Sequence, residues 1–390
     1  MTKRLEAAWL HREDLAELVK AMGHDNARYV GGAVRDSLLG LPVKDIDMAT
    51  VLVPSAVIER LQDAGIRSVP TGIEHGTVTA ILPGGPVEIT TLRHDVSTDG
   101  RRATVVFAND WREDAARRDF TMNALYADPL TGEIFDWFGG YRDLELRRVR
   151  FIGDARQRIR EDHLRILRYF RFQARFGTTP ADAEAEAACA ELAATLKGLS
   201  RERVGAEMMN LLGLPDPAPT VRRMRELGVL PVILPEADPE GLAALVAAET
   251  VQSQAPDAVR RLAALLPAQV SLAEHVAARF RLSAAQKKRL ALAAARNDAP
   301  VEPRTLAYRI GRDAALDRLL IAGADVSSLA DWGTPQFPLK GGQIVARGVG
   351  AGPEVARIMK HVEDAWVAEG FPDAGRVEVL LDNALSEMRA

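Results

Sequence analysis

Two carboxylates two residues apart, Asp45 and Asp47, open a stretch whose side chains alternate as a β-strand over residues 45–51. Residues i and i+2 of a strand point to the same face, so both acids share one side of a sheet. Acids that close repel unless a cation compensates, and Mg²⁺ is commonly held by one or two carboxylates plus substrate phosphates. Just upstream lies Gly31-Gly32-Ala33-Val34-Arg35-Asp36, leading into a helix over residues 34–39. Glycines at such an entry let backbone N–H groups approach a phosphate, and Arg35 sits one turn inside. Alone, the glycine pair reads as a tight turn and the acid pair as an exposed loop. Together, within one short strand–helix–strand unit, they point to a bound triphosphate and a divalent cation. Glu88 is a third candidate ligand. It lies on the second strand of a hairpin (77–82 and 87–92 around Pro83-Gly84-Gly85-Pro86) and alternates away from Val87 and Ile89. It faces either the acid pair or solvent, and both readings stand.

A second constellation is Glu161-Asp162-His163-Leu164-Arg165. On a helix Asp162 and Arg165 are three apart and share a face, a row that Arg168 and Arg171 continue. The plain reading is an i,i+3 salt bridge. The chemical reading is sharper. A carboxylate accepts from an exocyclic amine, while a guanidinium donates to a ring nitrogen or carbonyl. Cytosine and adenine both present an amine beside an acceptor nitrogen. Uracil and guanine put a carbonyl in that place, opposing two acceptors. One Asp/Arg pair therefore accepts C and A and rejects U and G without a template strand.

These groups need a scaffold. The first 150 residues mix strand and helix patterns; from about residue 157 the pattern is helical, ending in a helix over 354–368, with residues 300–303 a linker or helix stop. The fold class expected is α+β: a small mixed sheet with helices, then an all-helical remainder. The domain boundaries expected are 1–150, 151–215 and 216–390. Of the 390 residues, 47% are hydrophobic and 27% charged, ordinary for a globular protein. The net charge of −4 hides a run of ten arginines between residues 147 and 175 against only Asp154, Glu161 and Asp162. A solvated face is the plain reading, but planar Arg forks in a one-signed run suit a phosphate backbone.

Cys189 is the only cysteine, so no intramolecular disulfide forms. No secretory signal and no membrane-length apolar run is read, so the expectation is a cytoplasmic protein. His24-Asp25 and His94-Asp95 lack the further ligands of a metal phosphohydrolase, and no hydrolase activity is expected.

The stretch Tyr29-Val-Gly-Gly-Ala-Val-Arg-Asp36 followed by Lys44-Asp-Ile-Asp47 resembles the first motif of class II CCA-adding enzymes and bacterial poly(A) polymerases, within the polymerase β nucleotidyltransferase superfamily. Arg117-Arg-Asp-Phe-Thr-Met-Asn-Ala124 and Glu161-Asp-His-Leu-Arg165 resemble the next motifs of that family. The resemblance is strongest over residues 28–176. It implies a polymerase β-like head (1–150), a helical neck carrying the base reader (151–215), and a helical body and tail that bind tRNA (216–390). It implies two Mg²⁺ ions on Asp45 and Asp47, a nucleotide held by Gly31, Gly32, Arg35, Arg118, Asp119, Asn123, Asp162, Arg165, Arg168 and Arg171, and ribose contact by Asp119 or Asn123. The activity implied is addition of C, C and A to tRNA from CTP and ATP by in-line attack on the α-phosphate, without a covalent enzyme intermediate. Poly(A) addition or partial (CC- or A-only) addition is the alternative; a non-enzymatic RNA-binding protein would be expected to have lost Asp45 or Asp47. The basic–aromatic signature of bacterial poly(A) polymerases is replaced by Arg101-Arg102-Ala103-Thr104. Residues 95–107 resemble the family's flexible loop, with Asp95, Asp99, Arg101 and Arg102 as its charged groups. Residues 200–209 resemble a helix that stabilises the pocket, and residues 337–353 a tail segment that touches tRNA. No protein partner and no membrane are implied.

Overall fold

The computed structural model describes residues 3–99, 102–296 and 302–387. Arg101 and residue 300 lie outside these, as do the side chains of Asp95, Asp99 and Arg102. The chain divides into two compact units, Met1–Pro235 and Glu236–Ala390. No described helix is long and apolar enough to cross a membrane.

The first unit holds a seven-stranded sheet formed by β1 (Ala27–Val30), β2 (Ile46–Thr50), β3 (Ser68–Gly72), β4 (Thr77–Leu82), β5 (Gly85–Thr91), β8 (Leu125–Ala127) and β9 (Ile134–Asp136). The strands lie in the order β3-β4-β5-β2-β1-β8-β9, antiparallel throughout except for β2 beside β5. The sheet's core comes from alternation: Ile46, Met48, Val87 and Ile89 are buried, while the residues between them turn to the other face. Pro83-Gly84 turns β4 into β5, with Gly85 and Pro86 already paired in the second strand. The stretch read as a loop over 95–107 is instead a two-stranded ribbon, β6 (Arg93–Asp99) with β7 (Arg102–Phe107).

Besides α1 (Glu13–Met22), this unit has five helices that position the site: α2 (Gly32–Leu38), α3 (Trp111–Ala116), α4 (Ala155–Glu161), α5 (Arg165–Phe176) and α6 (Arg201–Leu212). In α5, Ile166, Leu167, Tyr169, Phe170, Phe172 and Phe176 are buried, and Arg165, Arg168, Arg171 and Arg175 recur every three or four residues beside them. Phe120 packs at 5.0 Å from Phe151 and 4.9 Å from Phe172. Each such aromatic pair adds about 0.5–1.5 kcal/mol beyond burial, so the segment preceding β8 is fixed onto α5.

The expected single helical stretch through residues 157–176 is broken. Asp162 leaves helical geometry (φ −149°, ψ 105°) and separates α4 from α5. Its side chain accepts the Leu164 N–H at 3.1 Å, a local bond that competes with helix continuation. The second unit is all-helical, from Pro239–Val251 to Ala374–Glu387; that last helix follows Pro353–Ala368 and was not anticipated from the sequence. Buried Arg260 and Arg261 in Ala258–Leu265 pair with Glu249, and Arg260 and Arg289 with Asp317.

Candidate active site

β2 begins one residue after Asp45, so Asp45 is exposed at its mouth and Asp47 stands half-buried on the face opposite Ile46 and Met48. Parallel pairing makes Glu88 the register partner of Asp47. Glu88 therefore stands on the face of the sheet that carries Asp47. Burial, then the Glu88 charge and Asp45, push the Asp47 carboxyl up to about 6, against the pull of Arg118. Acids raising one another's affinity for a proton form a donor set suited to a hard cation. Among the described residues no three His, Cys, Asp or Glu side chains close into a cage able to hold a metal by themselves. The fit is thus to an ion that takes part of its shell from phosphate oxygens and water, as Mg²⁺ does.

Gly31 caps α2 with φ +67°, a conformation glycine adopts without strain. A Cβ there would lie 3.4 Å from Arg118 Nη1, about van der Waals contact, so the positive φ rather than lack of space is what favours glycine. Arg35, one turn in, is buried. Its Nε donates to Asp36 at 2.7 Å and its Nη1 to Asn123 Oδ1 at 2.6 Å. Asn123 Nδ2 donates to Asp119 at 2.8 Å, and Arg168 donates to the other Asp119 oxygen from Nε (2.8 Å) and Nη2 (2.6 Å). Burial alone would raise the Asp119 carboxyl. The Arg168 charge and the bonds from Asn123, Arg168 and the Phe120 N–H outweigh it and hold the acid below its ordinary range.

A second hub is Asp114 on α3. Buried, it accepts from Arg117 Nε (2.9 Å), Arg118 Nη2 (3.2 Å) and the Tyr126 hydroxyl. Burial opposes ionisation there too, but Arg118, Arg117 and the Tyr126 bond keep its carboxyl low. The Arg93 N–H also reaches Asp114, and Arg93 Nη1 donates to the His75 carbonyl at 2.7 Å.

At the break between α4 and α5, Asp162 does not pair with Arg165. Its Oδ2 accepts from Arg203 of α6 at 2.7 Å. Arg165 instead donates to Glu161 (2.7 Å) and to the carbonyls of Arg158 (2.8 Å) and Arg117 (3.1 Å). The i,i+3 bridge expected on a continuous helix is absent because Asp162 is not helical. Arg171 donates to Glu207 of α6 at 2.6 Å.

These elements line an open cavity of about 520 Å³. Of the residues singled out in the sequence, Gly31, Gly32, Arg35, Asp47, Arg118, Asp119, Asn123, Asp162, Arg165 and Arg168 line it. Asp45, Glu88 and Arg171 do not; Arg171 stands behind Arg168, which lies 3.7 Å from the same Glu207. Arg93, Arg117, Leu164, Phe172 and Arg203 line it as well and were not singled out. Arg117 opens the Arg117–Ala124 motif, Leu164 lies within Glu161–Arg165, Phe172 follows the arginine row, and Arg203 falls in the 200–209 stretch read as a pocket-stabilising helix; only Arg93 carried no local signal. The volume suits one nucleotide, in the range of small-molecule pockets.

Residues 27–150 match the family described as the Poly A polymerase head domain, and residues 182–240 that described as the probable RNA and SrmB-binding site of polymerase A. The mitochondrial CCA tRNA nucleotidyltransferase 1 of Mus musculus is 35% identical over 379 residues, covering 92% of this chain and 86% of that protein. The crystal structure of the Bacillus stearothermophilus CCA-adding enzyme in complex with CTP shares 26% identity at a TM-score of 0.76, covering 97% of this chain and 99% of the other. The Thermotoga maritima CCA-adding enzyme complexed with tRNA has the same fold (TM-score 0.73, 20% identity, covering 100% and 99%). With 35% identity to a named relative across 92% of its length, the chain belongs to the CCA tRNA nucleotidyltransferase family.

Proposed function

We propose that the chain adds C, C and A to the 3′ end of tRNA from CTP and ATP, releasing pyrophosphate. The observation that carries this reading is one cavity that joins Asp47 and the Gly31-Gly32 turn to Asp162 and Arg165. A triphosphate grip, a ribose contact and a base reader thus meet in the space of one nucleotide. The head, neck, and body with tail correspond in this reading to residues 1–150, 151–215 and 216–390, and the working compartment is the cytoplasm.

The residues have distinct tasks. Asp45 and Asp47, with Glu88 beside them, would hold two Mg²⁺ ions. When bound, Mg²⁺ stabilises charge on the attacking and leaving oxygens of a phosphoryl transfer. The Gly31 and Gly32 amides with Arg35 and Arg118 orient the triphosphate, so that the tRNA 3′-hydroxyl meets the α-phosphate in line with the pyrophosphate leaving group. Asp119 and Asn123, already fixed by Arg168 and Arg35, present remaining acceptor and donor capacity to the ribose hydroxyls. Asp162 accepts the exocyclic amine of C or A and Arg165 donates beside it; Arg168 and Arg171 support that edge.

The test is product sequencing. A tRNA lacking its last three nucleotides is incubated with each labelled NTP separately and with all four. The proposal expects C-C-A from CTP plus ATP and no tail from UTP or GTP. The match of residues 27–150 to a Poly A polymerase head favours poly(A) addition as the second reading. A long A tract from ATP alone would establish that one, and CC or A alone would establish partial addition.

A further inference from the structure

Arg158 sits on α4, outside every motif that defines the cavity, yet it is bonded to two of them. Its Nη2 donates to the Arg118 carbonyl at 2.9 Å and to the Arg117 carbonyl, and its Nη1 pairs with Glu161 at 2.6 Å. Arg165 closes the ring, donating to the same Glu161 and the same Arg117 carbonyl. Two guanidiniums thus share one carboxylate in a largely buried place, and the Arg158 Nε is buried with no partner. Like charges at close quarters and an orphaned N–H are unfavourable for folding alone. A staple of neck to head needs neither.

The grip is directed. The two carbonyls that Arg158 holds are consecutive and immediately precede Asp119, whose carboxylate is held by Arg168 from the next helix. Residues 117–119 are therefore fixed from the backbone side by Arg158 and Arg165 and from the side-chain side by Arg168. All three guanidiniums belong to the two helices that flank Asp162.

We infer that Arg158 is a positioning residue for nucleotide selection: it locks the segment that contacts the sugar and triphosphate to the helices that read the base. This rests on the reading of Asp162 and Arg165 as base readers. Selection by opposed acceptors works only if a wrong base cannot shift to find another bond, which demands placement to within about 0.5 Å. With sugar and base contacts on one body, U or G has no room to slide. With the ring open, the base edge moves relative to the sugar and discrimination falls.

Arg158→Lys keeps the charge but has one nitrogen in place of the two arms that reach Glu161 and the paired carbonyls, so it cannot hold all three at once. Arg158→Gln removes the charge as well; should it fail to fold, the lysine variant decides alone. Single-nucleotide incorporation into tRNA lacking its CCA end is measured with CTP, UTP and dCTP, alongside thermal unfolding, with Asp162→Ala as reference. The proposal expects both the CTP:UTP and the CTP:dCTP rate ratios to fall roughly tenfold, the scale of one recognition contact. A merely structural role would slow all three triphosphates in parallel and leave the ratios unchanged. Ratios that hold in Arg158→Lys while CTP:UTP falls in Asp162→Ala overturn this proposal and leave the base reader standing. A CTP:UTP ratio that holds in both variants overturns both.

Discussion

Glu88 is the register partner of Asp47 across the parallel pairing of β5 with β2. Two acids from different strands therefore share one face, and burial together with that neighbour lifts the Asp47 carboxyl to about 6. The folded pKa is above the unfolded value of about 3.9. In the metal-free protein the folded state binds the proton more tightly, so this site's contribution is most favourable below about pH 4. It is lost as pH rises through about 6. Asp47→Asn is expected to raise the melting temperature in EDTA near neutral pH, by roughly 2–4 °C for each kcal/mol relieved, and to change little near pH 4. Nucleotide transfer is expected to vanish. An Asn variant that is active with Mg²⁺, or no more stable than the parent at neutral pH, contradicts this account.

The arginine run is less available than its composition suggests. Arg148 and Arg150 pair with Asp143, Arg156 with Glu191, Arg158 and Arg165 with Glu161, Arg168 with Asp119, Arg171 with Glu207 and Arg175 with Asp36. Arg147 and Arg160 are exposed and make no ion pair with a described residue. If RNA phosphates cross this surface, Arg160→Ala should reduce the slope of log affinity against log salt by about one, while Arg156→Ala leaves it nearly unchanged. Binding of tRNA across a salt series reads both. Equal slopes in the parent and in both variants would direct the RNA elsewhere.

Much of the site was legible because its motifs are local. The glycine turn, the acid pair and the Arg-Arg-Asp segment each fit within a few residues, and so did the strands that present them. What escaped is long-range. Apart from Glu161 within the run, the acids that neutralise it stand at 36, 119, 143, 191 and 207, mostly far from it in sequence. The helix break at Asp162 escaped too, since Glu161-Asp162-His163-Leu164 reads as continuous helix until a side chain takes the Leu164 N–H and a partner 41 residues away holds the other oxygen. Asp114 became visible as a hub only once α3 was seen beside Arg117, Arg118 and Tyr126.

In the second unit Asp317 is fully buried and accepts from Arg260 Nε (3.0 Å), Arg289 Nε (2.7 Å) and Arg289 Nη2 (2.7 Å). Removing it leaves two guanidiniums short of their counter-charge, which costs about 3–5 kcal/mol when a buried pair is broken. Asp317→Ala should lower the denaturant midpoint of this unit while leaving CTP affinity intact, because the cavity is built wholly from the first unit. A midpoint within error of the parent would mean that water already reaches Asp317.

Asp162 carries the sharpest prediction. Its two oxygens are oriented by Arg203 and by the Leu164 N–H, leaving lone pairs to meet a base. In the proposed reading, Asp162→Ala removes the acceptor for the exocyclic amine and also the repulsion against a carbonyl. Use of CTP and ATP should slow, and the gap to UTP and GTP should narrow by roughly ten- to a hundredfold, since each base-edge contact discriminates by about 1–3 kcal/mol. Asp162→Asn goes further. It keeps the bond from Leu164, gives up the one from Arg203, and presents an amide N–H₂ that welcomes the carbonyl of U or G, so it should use UTP better than the alanine variant does. Arg165→Ala should mainly reduce C and A incorporation, because it loses a donor without creating a place for U or G. The alternative role for Asp162 is to neutralise Arg203. In that case Asp162→Ala would lower thermal stability and leave the four incorporation rates in their original proportions. Rates for all four NTPs, measured beside the melting curve of the same preparation, separate the two. Unchanged proportions would move base reading away from this helix break.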